Sequence, residues 1–322
     1  MNFNEEQVLL SLWRWKLLST AALTELHFPA LSSYTAYCNL RIMEQKNLVH
    51  LIPVPGKKEK YSMLWALTIK GFREIQICLP DLKEAGYKSE SVRHDRLVSA
   101  IHIGEWLKGI PPNCELFSEQ ELRRLHVDQY PTWVPKVDFH RPDGYWLTKI
   151  GEQSAVIALE VELTRKSGFA YRGTGQFYSN RKNVFRVIWV VPTMGLATHI
   201  QKEIKAVIPE GYLVHNFILL SDFTQHGWNA KFILGEEQGF PMASLLGLDG
   251  LKLPKYIWSA LLLDTKKSPH MSKSYSSLRK LLKSDRVGIS NLLTPPTKNT
   301  SNATPVTPKL HTTTNSNGGQ DQ

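Results

Sequence analysis

The feature that most constrains this chain is the run Ala155-Val156-Ile157-Ala158-Leu159-Glu160-Val161-Glu162-Leu163, which sets two acids two residues apart among aliphatic side chains. Successive side chains of a strand point to opposite faces, so Glu160 and Glu162 share one face while Leu159, Val161 and Leu163 turn into a core. Two acids on one strand face are costly unless something cationic lies between them. The run therefore predicts a buried strand and a charged site together.

Its surroundings predict an α/β (α+β) domain with a mixed sheet. A helix at His94 to Leu107 and another at Glu119 to Leu125 precede three strands, Lys136 to His140, Tyr145 to Lys149 and Ala155 to Leu163, separated by the turn signals Pro142-Asp143-Gly144 and Gly151. A helix around Tyr171 to Tyr178, a strand Phe185 to Val191, a helix Ala197 to Ala206 and a strand Leu213 to Leu220 complete an α-β-β-β-α-β-α-β string.

The N-terminal stretch has a different rhythm. Val8, Leu9, Leu12, Trp13 and Leu17 recur at helical spacing over Glu5 to Lys16; Ser19 or Thr20 caps a short helix Ala21 to Leu26, and Ser32 and Ser33 cap a third, Tyr34 to Gln45. Leu40 and Met43 of that helix face inward. Two strands follow, Leu48 to Ile52 and Tyr61 to Leu67, joined by Pro53-Val54-Pro55-Gly56-Lys57-Lys58-Glu59-Lys60. Helix, short helix, turn, third helix and basic hairpin is the order of a winged helix-turn-helix. In such a module the third helix lies in the major groove of double-stranded DNA and the wing touches phosphate. Ser33, Tyr34, Tyr37, Asn39 and Arg41 on the helix and Lys57, Lys58 and Lys60 on the wing are the expected contacts. A small helical domain used for protein contacts is the alternative.

The parts divide as 1–82, winged helix; 83–90, linker; 91–250, second domain; 251–290, a basic segment; and 291–322, a Thr/Pro/Asn-rich tail expected to be disordered. Net charge of +10 over 322 residues suits an anionic partner. No run reaches the length of a membrane span and the N-terminus lacks a secretory pattern, so the expected compartment is the cytoplasm. Cys38, Cys78 and Cys114 are too scattered for a disulfide framework or a CxxC zinc site, and packing is their expected role.

Asp143, at the mouth of the strand before Glu160 and Glu162, is set to join them, and three converging carboxylates make the oxygen-rich site that Mg²⁺ or Mn²⁺ prefers. Such a metal activates water and stabilises charge on a phosphate. The order Pro142-Asp143-Gly144, then Leu159-Glu160-Val161-Glu162, resembles the PD-(D/E)xK nuclease superfamily. With the winged-helix run ending Leu67-Thr68-Ile69-Lys70-Gly71, Ser118-Glu119-Gln120-Glu121-Leu122-Arg123 and Thr164, residues 5 to 220 resemble the replication-relaxation family and the related MobC-type conjugative relaxases.

That resemblance implies single-strand nicking at an origin of transfer or replication. Glu162 stands where the superfamily has its lysine, so Lys166, Arg165 or Arg172 is left to supply the cation; Lys149 sits at the far end of its strand. A relaxase keeps the phosphodiester energy in a covalent link, and Tyr171 and Tyr178, seven residues apart on one helical face, are the tyrosines available, with Arg172 beside them as a phosphate contact. His94 and His102 share a face of the opening helix and are read as structural or DNA-contacting. Two rival functions remain: a non-catalytic DNA-binding regulator or accessory factor, and a hydrolytic endonuclease of restriction or transposase type. The sequence leaves open a homodimer and contacts with other mobilisation or replication proteins.

Overall fold

The computed structural model describes residues 2–52, 63–104, 114–136, 140–150, 153–181, 183–208 and 214–245. The wing lysines Lys57, Lys58 and Lys60, the basic segment 251–290 and the tail 291–322 lie outside the described residues. Two sheets organise the rest into a mixed α/β fold.

The first sheet is small and closed over by helices. Helix α1 (Phe3–Trp15) starts at a capping box in which Asn2 and Glu5 exchange side-chain and backbone bonds, and buries Val8, Leu9 and Leu12. Strand β1 (Leu17–Ser19) ends on the residue that caps α2 (Thr20–His27), where the Ser19 hydroxyl accepts from the Ala22 amide at 3.0 Å. Helix α3 (Ser33–Gln45), capped by Ser32, turns Ala36, Leu40 and Met43 inward. Strands β2 (Val49–Ile52) and β3 (Leu64–Leu67) pair antiparallel, and β1 joins the other side of β3, giving the order β1-β3-β2. Helix α4 (Ile69–Gln76) is pressed against the start of β2. A Cβ on Gly71 would lie 1.9 Å from the Leu48 carbonyl oxygen, so only glycine fits this approach.

The second sheet has the order β4-β5-β6-β7-β8, with β4 (Glu115–Ser118), β5 (Gly144–Ile150) and β6 (Gln153–Val161) antiparallel, and β7 (Val184–Val191) and β8 (His215–Leu219) parallel to β6. Helices α5 (Val92–His102), α6 (Glu119–Arg124), α7 (Gly168–Ser179), α8 (Met194–Lys205), α9 (Leu220–His226) and α10 (Met242–Leu245) complete the elements. Tyr145, Ala158, Val187, Trp189 and Phe217 pack with Tyr171, Phe177 and Tyr178 of α7 and Ile200 and Ile204 of α8. On the other face Trp146, Ile157, Leu159, Ile188 and Ile218 meet Val98 and Ile101 of α5 and Phe223 of α9. Burial on both faces explains why these strands read as nearly unbroken apolar runs.

The first strand of this sheet is not the expected one. Lys136 and His140 are not in a strand, and residues 137–139 fall outside the described ones; Glu115–Ser118 holds that edge instead, paired with β5. Pro131 and Pro135 bring fixed φ angles and no amide donor to the segment just before 136–140. The third strand of the expected string also ends earlier, at Val161, although the Glu162 amide still donates to the Val190 carbonyl at 3.0 Å.

Residues 83–90, read as a linker, are bonded along their length to the segments beside them. Leu82 bridges Leu125, the Lys83 amide donates to Arg124, and the Gly86 carbonyl accepts from both the Trp13 indole and Gln120. A single buried cluster runs from Val8 and Leu12 through Leu122 and Tyr145 to Phe217. Among the described residues no helix is long and apolar enough to cross a membrane. Cys114 is buried, Cys38 and Cys78 are half-buried, and all three are free thiols.

Candidate functional site

Asp143 is held at every polar group it has. Its amide donates to Leu159 at 2.9 Å and its carbonyl accepts from His102 Nε2 at 3.0 Å. Oδ2 accepts from the Val161 amide at 2.6 Å, and Oδ1 lies 3.4 Å from His94 Nε2. The turn that presents it needs Gly144, at φ 152°, because a Cβ there would come within 2.5 Å of the His102 ring and 2.8 Å of the Phe117 carbonyl.

Glu160 lies on the neighbouring strand β6 and Glu162 just past its end, and both are buried. One oxygen of Glu160 accepts from the Tyr178 hydroxyl at 2.6 Å and from His140 Nε2 at 2.7 Å. Glu162 pairs with Lys166, whose Nζ is 2.8 Å away. Each carboxylate thus has a basic side chain of its own: His94, His140 and Lys166.

The charges explain the protonation states. Burial works against the His94 imidazolium, but hydrogen bonds and attraction from Asp143 and Asp95 hold its pKa up to about 10. His140 and Lys166 likewise pay for burial and are nevertheless raised, by Glu160 and by Glu162 respectively. Lys166 also feels Glu160 and Asp143, so the three acids act on one cation. Tyr178 is pushed well above the usual phenol range, first by burial and then by the Glu160 charge. His102 is the opposite case. Burial lowers it to about 3, and the Trp146 indole donates to its Nδ1 at 2.6 Å, which fixes the neutral tautomer with its proton on Nε2.

Of the four cations considered for the site, Lys166 reaches the acids. Arg165 lies against His199 and Arg172 pairs with Glu203 of α8 at 3.0 Å, while Lys149 is opposite Ser154 at the far end of the β5/β6 hairpin. Tyr178 and Tyr171 are 0% and 1% exposed, and the Tyr171 hydroxyl accepts from the Lys166 amide at 2.8 Å. Both hydroxyls are therefore used inside the protein, Tyr178 to orient Glu160, and neither meets a phosphate in this geometry.

His140, Asp95 and Lys16 were missed in the sequence. A lone histidine before Arg141-Pro142 carries no spacing signal, and Asp95 and Lys16 gain meaning only from their contacts. On α3, Ser33, Tyr34 and Arg41 are exposed while Tyr37 and Asn39 are half-buried; Arg41 pairs with Glu44 one turn on, and the Tyr37 ring is 6.0 Å from that of Trp65.

Oxygen-rich chemistry of this kind fits a hard divalent ion. Among the described residues, however, no group of three His, Cys, Asp or Glu side chains is gathered closely enough to hold one. Fold and site together define a mixed α/β protein with three acids near the end of a central strand, each paired with a base. Comparison with known proteins adds no relative: no family model, no curated protein and no solved structure matches the chain.

Proposed function

We propose that this protein binds DNA through α3 and the β2/β3 hairpin, as a winged helix does, and cleaves one DNA strand at Asp143, Glu160 and Glu162. The observation that carries the reading is that Lys166 returns to Glu162 at 2.8 Å and also feels the charges of Glu160 and Asp143, so that all three acids act on one exposed cation. The order α5, β4, α6, β5, β6, α7, β7 differs from the expected string in placing its first strand before α6, and what supports the reading is that Lys166 brings an ammonium to the acid that stands in the lysine position. Among the described residues no three of these side chains lie close enough together to hold a metal; Mg²⁺ or Mn²⁺ enters the reading only through the resemblance in sequence, which would assign it to Asp143, Glu160 and Glu162 and would have it neutralise charge at phosphate. His94, His140 and Lys166 orient the carboxylates, and Lys166, with its side chain 61% exposed, is able to meet a phosphate oxygen.

Burial of Tyr171 and Tyr178 favours water over tyrosine as the nucleophile, hence hydrolytic nicking over a covalent relaxase step. Plasmid origins of transfer or replication, the substrates implied by the resemblance in sequence, are the first to try. A second reading, a DNA-binding regulator without catalysis, is favoured by a different observation: each acid already has its own basic partner.

The test is incubation with supercoiled plasmid and Mg²⁺, Mn²⁺ or EDTA, using wild type, Asp143→Asn and Glu160→Gln, with folding checked by circular dichroism. Metal-dependent nicking that both substitutions abolish supports the catalytic reading. DNA binding without nicking in all three proteins overturns it in favour of the regulator.

A further inference from the structure

At the end of α1 the backbone takes a turn that L-residues avoid. Lys16 has φ 63° and ψ −39°, and it is 6% exposed. Residues held in sparsely populated conformations persist where their surroundings over-determine them, and a buried ammonium requires acids beside it. Lys16 has two: its Nζ is 3.2 Å from Asp95 Oδ1 on α5 and pairs with Glu119 of α6. The same Asp95 oxygen lies 3.5 Å from His94 Nδ1. His94 Nε2, on the far side of that ring, is 3.1 Å from the Val161 carbonyl and 3.4 Å from Asp143 Oδ1. The neighbouring Trp15 reaches the same acid by another route, its ring 5.2 Å from that of His102, which donates to the Asp143 carbonyl. Eight residues separate His94 from His102, a little over two helical turns, so one face of α5 carries both routes.

We propose that Lys16 is a positioning residue for Asp143, acting through Asp95 and His94, with Trp15 bracing the same acid through His102. Without the Lys16 ammonium, Asp95 draws the His94 ring toward itself and Asp143 Oδ1 loses its only basic partner among the described contacts. The inference rests on the reading of Asp143 as part of a strand-cleaving site, but its geometric half can be measured without activity.

The Val161 amide, which donates to Asp143 Oδ2 at 2.6 Å, is the reporter. In the full-length protein, Lys16→Met should move the Val161 amide proton upfield as that charge-assisted bond loosens, while Lys16→Arg, and Lys16→Met combined with Asp95→Asn, which removes the competing acid, keep it in place and the Phe217 amide stays unmoved in all three. With supercoiled plasmid and Mg²⁺, Lys16→Met should lower kcat for nicking by about a hundredfold, the penalty of a displacement of roughly 1 Å, with KM unchanged and activity restored in Lys16→Arg. Should Lys16→Met not fold, Lys16→Gln carries the same test. An unmoved Val161 amide, or an unchanged kcat in a protein whose wild type nicks, overturns the proposal. A wild type that never nicks removes the functional reading, and the Val161 response then decides the positioning by itself.

Discussion

Tyr178 and the buried histidines show how single side chains set the chemistry. The Tyr178 hydroxyl gives the buried Glu160 carboxylate one of its two side-chain hydrogen bonds among the described residues, and a bond of that kind to a charged group contributes about 1.5–3 kcal/mol. Tyr178→Phe should lower stability by about that amount in denaturant melts. It should slow nicking without abolishing it, because His140 still holds Glu160; complete loss, or a wild-type protein–DNA adduct on a denaturing gel, would restore the tyrosine as nucleophile. His102 and His215 are both buried and both accept an indole N–H at Nδ1, from Trp146 and Trp189. Burial lowers each to about 3. Below the ordinary histidine pKa of about 6.5 the unfolded chain takes up protons that the native state refuses, so their stabilising effect is present above that pH and is lost as pH falls. Each should contribute a slope of up to about 1.4 kcal/mol per pH unit between pH 6.5 and 4. Unfolding midpoints measured at pH 7 and pH 5 check this, and His215→Gln should flatten the dependence.

Helix α3 and the α4 contact are matters of whole elements. Tyr34 and Arg41 lie on the outer face that Leu40 and Met43 leave free by pointing inward. If α3 docks on DNA, Arg41→Ala should weaken binding similarly across sequences and reduce the slope of log affinity against log salt by about 1, as loss of one phosphate contact does. An unchanged slope in a salt titration would take Arg41 out of the interface. The α4 packing is less forgiving: Gly71→Ala puts a methyl against the Leu48 carbonyl and should cost about 1–3 kcal/mol, seen as a lower melting temperature. Strand β4 illustrates the limit of pattern at this scale. Its four residues are too few for alternation to distinguish them from loop, and Ser118 is also the cap of α6, where it forms a capping box with Glu121.

At the scale of the molecule, the two sheets share one buried cluster and a belt of ion pairs, including Arg14–Glu121 and Lys16–Asp95. Near-ultraviolet and far-ultraviolet circular dichroism should therefore report one coincident unfolding transition for the described part of the chain, and two separated transitions would show independent domains. The sequence by itself determined the helices α1, α3, α7 and α8 and the strands β5 to β8, because their apolar periodicity and caps are local signals. It also singled out Glu160 and Glu162, because acids inside an aliphatic strand are conspicuous, and Asp143, from the Pro142-Asp143-Gly144 turn before them. Only the tertiary structure decided their partners. Lys16, Asp95, His94 and His140 come from distant segments, and what each does depends on burial and on an opposite charge a few ångströms away, which no spacing along the chain encodes. The same cause removed Tyr178 from the surface: a helical stripe fixes which side chains share a face, and packing decides whether that face meets DNA or the core.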